Sequence, residues 1–180
     1  APVKPACLGE FGIADDKWGL REEMKRSPEL ADAHNALWAS ALSGLSATAW
    51  CWWWERLDER DVYPHYRPLS RFIADVPWTS GAVQATQLHV SDDHVHAVGL
   101  RAGDRAWLWL CNRHATWPRL VLEQVTPAEI SVVTVEVNGL PVGGYRVEWW
   151  DPQDGRSLRT ERVMVEGGVL RLAPPAFVRD

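Results

Sequence analysis

Basic residues are too few and too scattered in this sequence to make a nucleic-acid surface. In 180 residues, 19 Lys and Arg face 24 Asp and Glu, a net charge of −5, and no basic tract interrupts that balance. Long apolar runs are missing too. None approaches the roughly 20 residues of a membrane-crossing helix, and no charged segment leads into an apolar signal stretch. The chain therefore reads as soluble, with neither nucleic acid nor membrane as partner; a secreted or periplasmic location is compatible with it. Cysteine is sparse: Cys7, Cys51 and Cys111 are far apart among apolar or aromatic neighbours, which excludes a disulfide framework and a metal-ligand spacing and suggests buried thiols. Phe and Tyr are scarce as well, at three each.

Against that scarcity stand 12 tryptophans, so nearly all the aromatic content is indole. A flat apolar face with one N–H donor suits a core, or the wall of a site that grips a flat-faced polar ligand such as a sugar. Composition does not choose between the two.

Order along the chain narrows the choice. Ala6 to Leu8 forms an apolar run closed by Gly9-Glu10-Phe11-Gly12, which predicts a short strand ending on a carboxylate. A charged stretch follows over residues 15–26, with Trp18 alone among polar neighbours, and reads as a long loop broken at Ser27-Pro28. Ala33, Ala36, Leu37, Ala41 and Leu42 recur at helical spacing, with Asp32 placed to cap and Gly44 at the end, predicting a helix over 31–45. The aromatic run 47–54 reads as a strand buried on both faces, residues 55–61 as a charged loop, and Pro64 as the first turn of a helix reaching to about Asp75. Strand, loop, helix, repeated, is the β/α alternation of a parallel sheet.

After residue 81 the texture changes. Alternating runs at 84–90, 94–101, 105–111, 130–137, 145–150, 162–166 and 169–172 are separated by Asp-Asp, Ala-Gly-Asp, Asn-Gly, Gly-Gly and Asp-Gly turn signals, the pattern of an antiparallel β-sandwich. Two units are expected: residues 1–78 as an α/β portion and 82–180 as an all-β accessory domain.

Among residues able to do chemistry, Glu10 is the sharpest. A carboxylate at the exit of a strand, followed by Gly, is held where β/α loops build active sites, although a structural pairing with Lys17 or Arg21 would also account for it. Strand alternation would send Trp50, Trp52 and Trp54 one way and Trp53 the other, placing an indole beside Glu10. Core filling is the competing use of any one of these rings.

These residues resemble a known family. Lys4-Pro5-Ala6-Cys7-Leu8-Gly9-Glu10-Phe11-Gly12, His34-Asn35-Ala36-Leu37-Trp38-Ala39 and the run into Trp52-Trp53-Trp54 look like strands seven and eight of the (β/α)8 TIM barrel of clan-A, cellulase-like glycoside hydrolases. Arg105-Ala106-Trp107-Leu108-Trp109-Leu110 and residues 144–152 are similar to the β-sandwich appended to several of them. The resemblance implies a truncated (β/α)8 barrel, its last two β/α units followed by an antiparallel β-sandwich, with the rest of the barrel as its partner. It also implies retaining cleavage of β-linked oligo- or polysaccharides, with Glu10 as nucleophile, Trp52, Trp53 or Trp54 under the sugar, and no cofactor. The second carboxyl of such a mechanism, about 5–5.5 Å from the first, comes in the family from strand four, which has no counterpart in these residues. Glu55 and Asp58 read as solvated loop acids, so the 180 residues alone are expected to be inactive.

Trp18 is a candidate wall of an outer sugar subsite and His65 a candidate rim residue. His89, Asp92, Asp93, His94 and His96 surround a tight turn better explained as a hairpin than as a metal site, and Asp151, Asp154 and Gly155 lack the spacing of a calcium loop. His34 reads as a local feature of a helix start. The alternative function is a non-catalytic carbohydrate-binding or structural β-sandwich module.

Overall fold

The computed structural model describes residues 4, 6–26, 30–45 and 50–180. The expected break at Ser27-Pro28 and the first part of the aromatic strand, residues 47–49, lie outside the described residues.

The architecture is mainly antiparallel β-structure. Strand β1 (Glu10–Phe11) pairs in parallel with β2 (Trp50–Cys51) over two residues each. Every other strand pairing is antiparallel: β3 (Gln84–Ala85), β5 (Val95–Ala102) and β6 (Arg105–Asn112) in one sheet, β4 (Leu88–Val90), β7 (Val135–Asn138) and β10 (Val169–Leu172) in a second, and β8 (Gly143–Asp151) with β9 (Arg156–Val165) in a third. Helices are short: α1 (Ala31–Leu42), α2 (Trp54–Glu59) and α3 (Tyr66–Phe72).

The expected truncated TIM barrel is therefore overturned, and the chain is an all-β fold with a few covering helices. The physical reason lies in where α1 buries its apolar stripe. In a barrel that stripe would cover the parallel strands; here Leu37, Trp38, Ala41 and Leu42 pack with Leu100 and Ala102 of β5 and with Trp107, Trp109 and Cys111 of β6. Only the N-terminal end of α1, through Leu30 just before it and Ala33 in its first turn, meets Phe11 and Cys51 of the parallel pair, together with Leu57 and Val62.

β6 shows how one strand serves two cores. Its odd residues face the helices, while Ala106, Leu108 and Leu110 face Val135, Val137, Leu170 and Leu172 of the second sheet. The layers run helix, sheet, sheet. Turns close as the sequence chemistry asks: β5 and β6 join through Gly103-Asp104 with Gly103 at φ 61°, and β9 and β10 join through Gly167-Gly168, both at positive φ.

Local departures have local causes. The first strand is at Glu10–Phe11, so it begins on the carboxylate on which the apolar run at 6–8 is expected to end. β2 stops at Cys51, and Trp54, expected to end the strand, instead opens α2, which also takes residues 55–59, expected as loop, because Arg56 turns inward beside Leu57. Its guanidinium makes a two-pronged contact with Asp32, at 2.7 and 3.3 Å, and donates to the Met24 carbonyl at 2.8 Å. Asp32 is thus a buried ion-pair partner, and the residue at the start of α1, Leu30, makes no side-chain cap and lies in the left-handed region at φ 53°.

Candidate functional site

The edge carrying Glu10 is built from the parallel pair. Phe11 and Cys51 lie opposite each other in register and both join the apolar cluster beneath. Side chains alternate along a strand, so Glu10 and Gly12 belong to the other, solvent side. Trp52, next after Cys51, shares that side: its N–H donates to the Phe11 carbonyl at 2.8 Å, continuing the ladder, and its ring is 57% exposed. Glu10 is exposed, and among the described residues no hydrogen bond or ion pair holds its carboxylate.

Gly12 has a steric role in this arrangement. A Cβ there would run into the Trp53 ring and lie 3.3 Å from the Trp52 Cβ, so only glycine lets the Trp53 ring fold over the end of β1. Trp54 opens α2 and stands in solvent at 59% exposure. The alternation expected through residue 54 therefore holds only as far as Trp52.

Trp18 occupies the tip of a small loop. Asp15 organises it: its Oδ1 accepts from the backbone N–H groups of Lys17 and Gly19, both at 2.8 Å, while Ala14 bridges Leu20. The indole is 86% exposed and its backbone is left-handed, φ 63°. Glu55 and Asp58 are exposed on α2, and among the described residues neither is bonded to Glu10.

His65 belongs elsewhere. It meets His34 edge-on, ring centroids 5.6 Å apart, and burial, with the His34 ring second, lowers its pKa below 6.5. His34 is itself buried, its Nε2 at 2.6 Å from the Asp180 carboxylate. Trp109 Nε1 donates to the same oxygen at 2.8 Å, and Gln153 reaches both groups. Reading His34 as a helix-start feature missed this polar cluster. No local signal marks Asp180 or Gln153, because they are brought to His34 across more than a hundred residues of chain.

The remaining candidates make the following contacts. His94 Nδ1 is 2.9 Å from Asp92 Oδ1 and its ring lies 5.0 Å from His114, and among the described residues no three His, Cys, Asp or Glu side chains converge as a metal site. Cys51 and Cys111 are buried, with burial the main cause that pushes the Cys111 thiol up to about 12, whereas Cys7 is exposed and departs from the expectation. Asp151 caps the backbone N–H groups of Gln153 and Asp154, an Asx turn.

No protein-family model, curated protein or solved structure matches this chain.

Proposed function

We propose that the Glu10 edge is the nucleophile half of a retaining β-glycoside hydrolase acting on oligo- or polysaccharides, with the acid/base carboxyl supplied from outside these 180 residues. The supporting observation is that Glu10 and the exposed Trp52 indole stand on one side of a two-strand pair whose other side is anchored in a core. Adjacent strands are about 4.8 Å apart and two residues along a strand span about 7 Å, the scale of one sugar ring. The indole face takes the C–H face of a sugar, and the exposed carboxylate can attack an anomeric carbon. Trp18, Trp53 and Trp54 extend the apolar surface available to neighbouring sugar units; His65 has its place in the buried cluster.

The test uses a substrate that needs no acid. A 2-deoxy-2-fluoro-β-glycoside of dinitrophenol loses its leaving group as the phenolate while Glu10 Oε forms the glycosyl ester, and the fluorine slows hydrolysis of that ester. Mass spectrometry should find the adduct on the peptide containing Glu10 and none in Glu10→Gln. An adduct on another residue, or none with gluco-, manno- and xylo-configured reagents, removes the nucleophile assignment.

A further inference from the structure

β6 pairs with β5, β8 pairs with β9, and β6 and β8 do not pair with one another. Between them lies a cleft of about 470 Å³ that continues toward the Ala173–Asp180 segment; none of its lining residues comes from β1, β2 or the loop bearing Trp18. The volume falls within the roughly 300–1,000 Å³ usual for small-ligand sites.

We propose that this cleft is a second saccharide site, separate from the Glu10 edge, for a short neutral oligosaccharide. Its walls are indoles held in place by their own N–H groups. Trp149, half-buried on the cleft wall, donates to Glu161 at 2.6 Å, while Trp107, donating to Asp75 at 2.9 Å, and Trp109, donating to Asp180 at 2.8 Å, are buried and back the cleft, so the rings are fixed. Fixed walls lose little freedom on binding. Trp150 is set by a register shift at Trp149/Trp150, by its edge contact with Phe72 at 5.9 Å, and by its bond to Glu148 at 3.3 Å.

Charge at the opening selects against an ionic ligand. Arg71, Arg105 and Arg146 are balanced by Asp75, Asp104 and Glu148, all six exposed and all lining the cleft. Arg105 pairs with Asp75 and Arg146 with Glu148, giving forked donors beside forked acceptors, the arrangement that hydrogen-bonds adjacent hydroxyls on a sugar. An extended peptide adding to the two free strand edges is the competing occupant. It is disfavoured because the register shift interrupts the edge of the hairpin and because Pro174 and Pro175 already line the cleft.

Titration calorimetry of the full 180-residue chain with cellotetraose, xylotetraose and mannotetraose tests the assignment. At least one should bind saturably, and Ala106→Trp, which fills the cleft, and Trp150→Ala should each weaken it by about tenfold or more. The Trp18→Ala/Trp52→Ala double variant, which disables the Glu10 edge, should still bind saturably, and the cleft substitutions should weaken that remaining binding. Arg146→Ala, an exposed change, supplies the same readout if either cleft variant melts early, and is expected to weaken binding several-fold. No saturable binding at millimolar sugar, or loss of all saturable binding in the Trp18/Trp52 variant, overturns the proposal; so does binding of an extended peptide with none of the sugars. The outcome at Glu10 does not bear on it, since no cleft residue is shared with that edge.

Discussion

Around β1 and β2 the indoles of Trp18, Trp52 and Trp54 stand in solvent, whereas on β6 those of Trp107 and Trp109 are buried and each donates its N–H to a carboxylate. The chemistry of the side chain is the same in both places, so the surroundings assign the job. A buried indole must satisfy its donor, and the partner that does so also fixes the ring; an exposed one leaves its N–H to water and its face to whatever arrives. The contrast separates tryptophans that hold the fold together from those available for a ligand.

Replacing an indole on each side should expose that difference. Trp109→Ala removes a fully packed ring and strips Asp180 of a donor within a buried cluster, and is expected to cost about 5 kcal/mol in urea unfolding. A loss under about 1 kcal/mol would mean that the cluster rearranges freely. Arg56→Ala removes the guanidinium from the buried Asp32 carboxylate and should cost about 3 kcal/mol, while Asp32→Asn with Arg56→Met recovers much of that loss. That double variant distinguishes the lost countercharge from lost packing.

Acid should weaken the contacts around His65. His65 has a folded pKa below its ordinary 6.5, caused chiefly by burial and then by His34, with Asp180 acting in the opposite sense. The fold therefore favours the neutral ring. Its contribution is complete above pH 6.5 and declines as the pH falls from there through the lower folded value, because the unfolded chain binds the proton first. His65→Asn should flatten that part of the stability profile; an unchanged slope assigns the decline to another group. The smallest effect is expected at the exposed edge, where Trp52→Ala should shift stability by no more than about 0.5 kcal/mol while weakening saccharide contact there. A large loss would make Trp52 part of the core.

Short-range pattern made much of this fold legible. Strands β5, β6, β8 and β10 occupy runs where apolar and polar residues alternate, and their turns fall at Gly-Asp and Gly-Gly because glycine takes the positive φ of Gly103, Gly167 and Gly168 without steric strain. α1 was equally plain from its spacing, with Gly44 at φ 81° just beyond its end. The error lay one level up. A strand, helix, strand order matches a parallel sheet, and β1 with β2 does pair that way, but two residues of pairing make no barrel and the helix covers an antiparallel sheet instead. At the edge, periodicity carried Trp52 to the side of Glu10 but overran the end of β2 at Cys51.

By itself the sequence determined which segments extend, which coil and where they turn, because those preferences act over a few residues through backbone sterics and alternation. Only the tertiary structure decided that α1 lies on β5 and β6, that Arg56 is buried against Asp32, and that His34, Trp109, Gln153 and Asp180 share one polar cluster. Such contacts join residues far apart along the chain, and buried polar groups find partners according to which surfaces meet, a quantity no local pattern encodes.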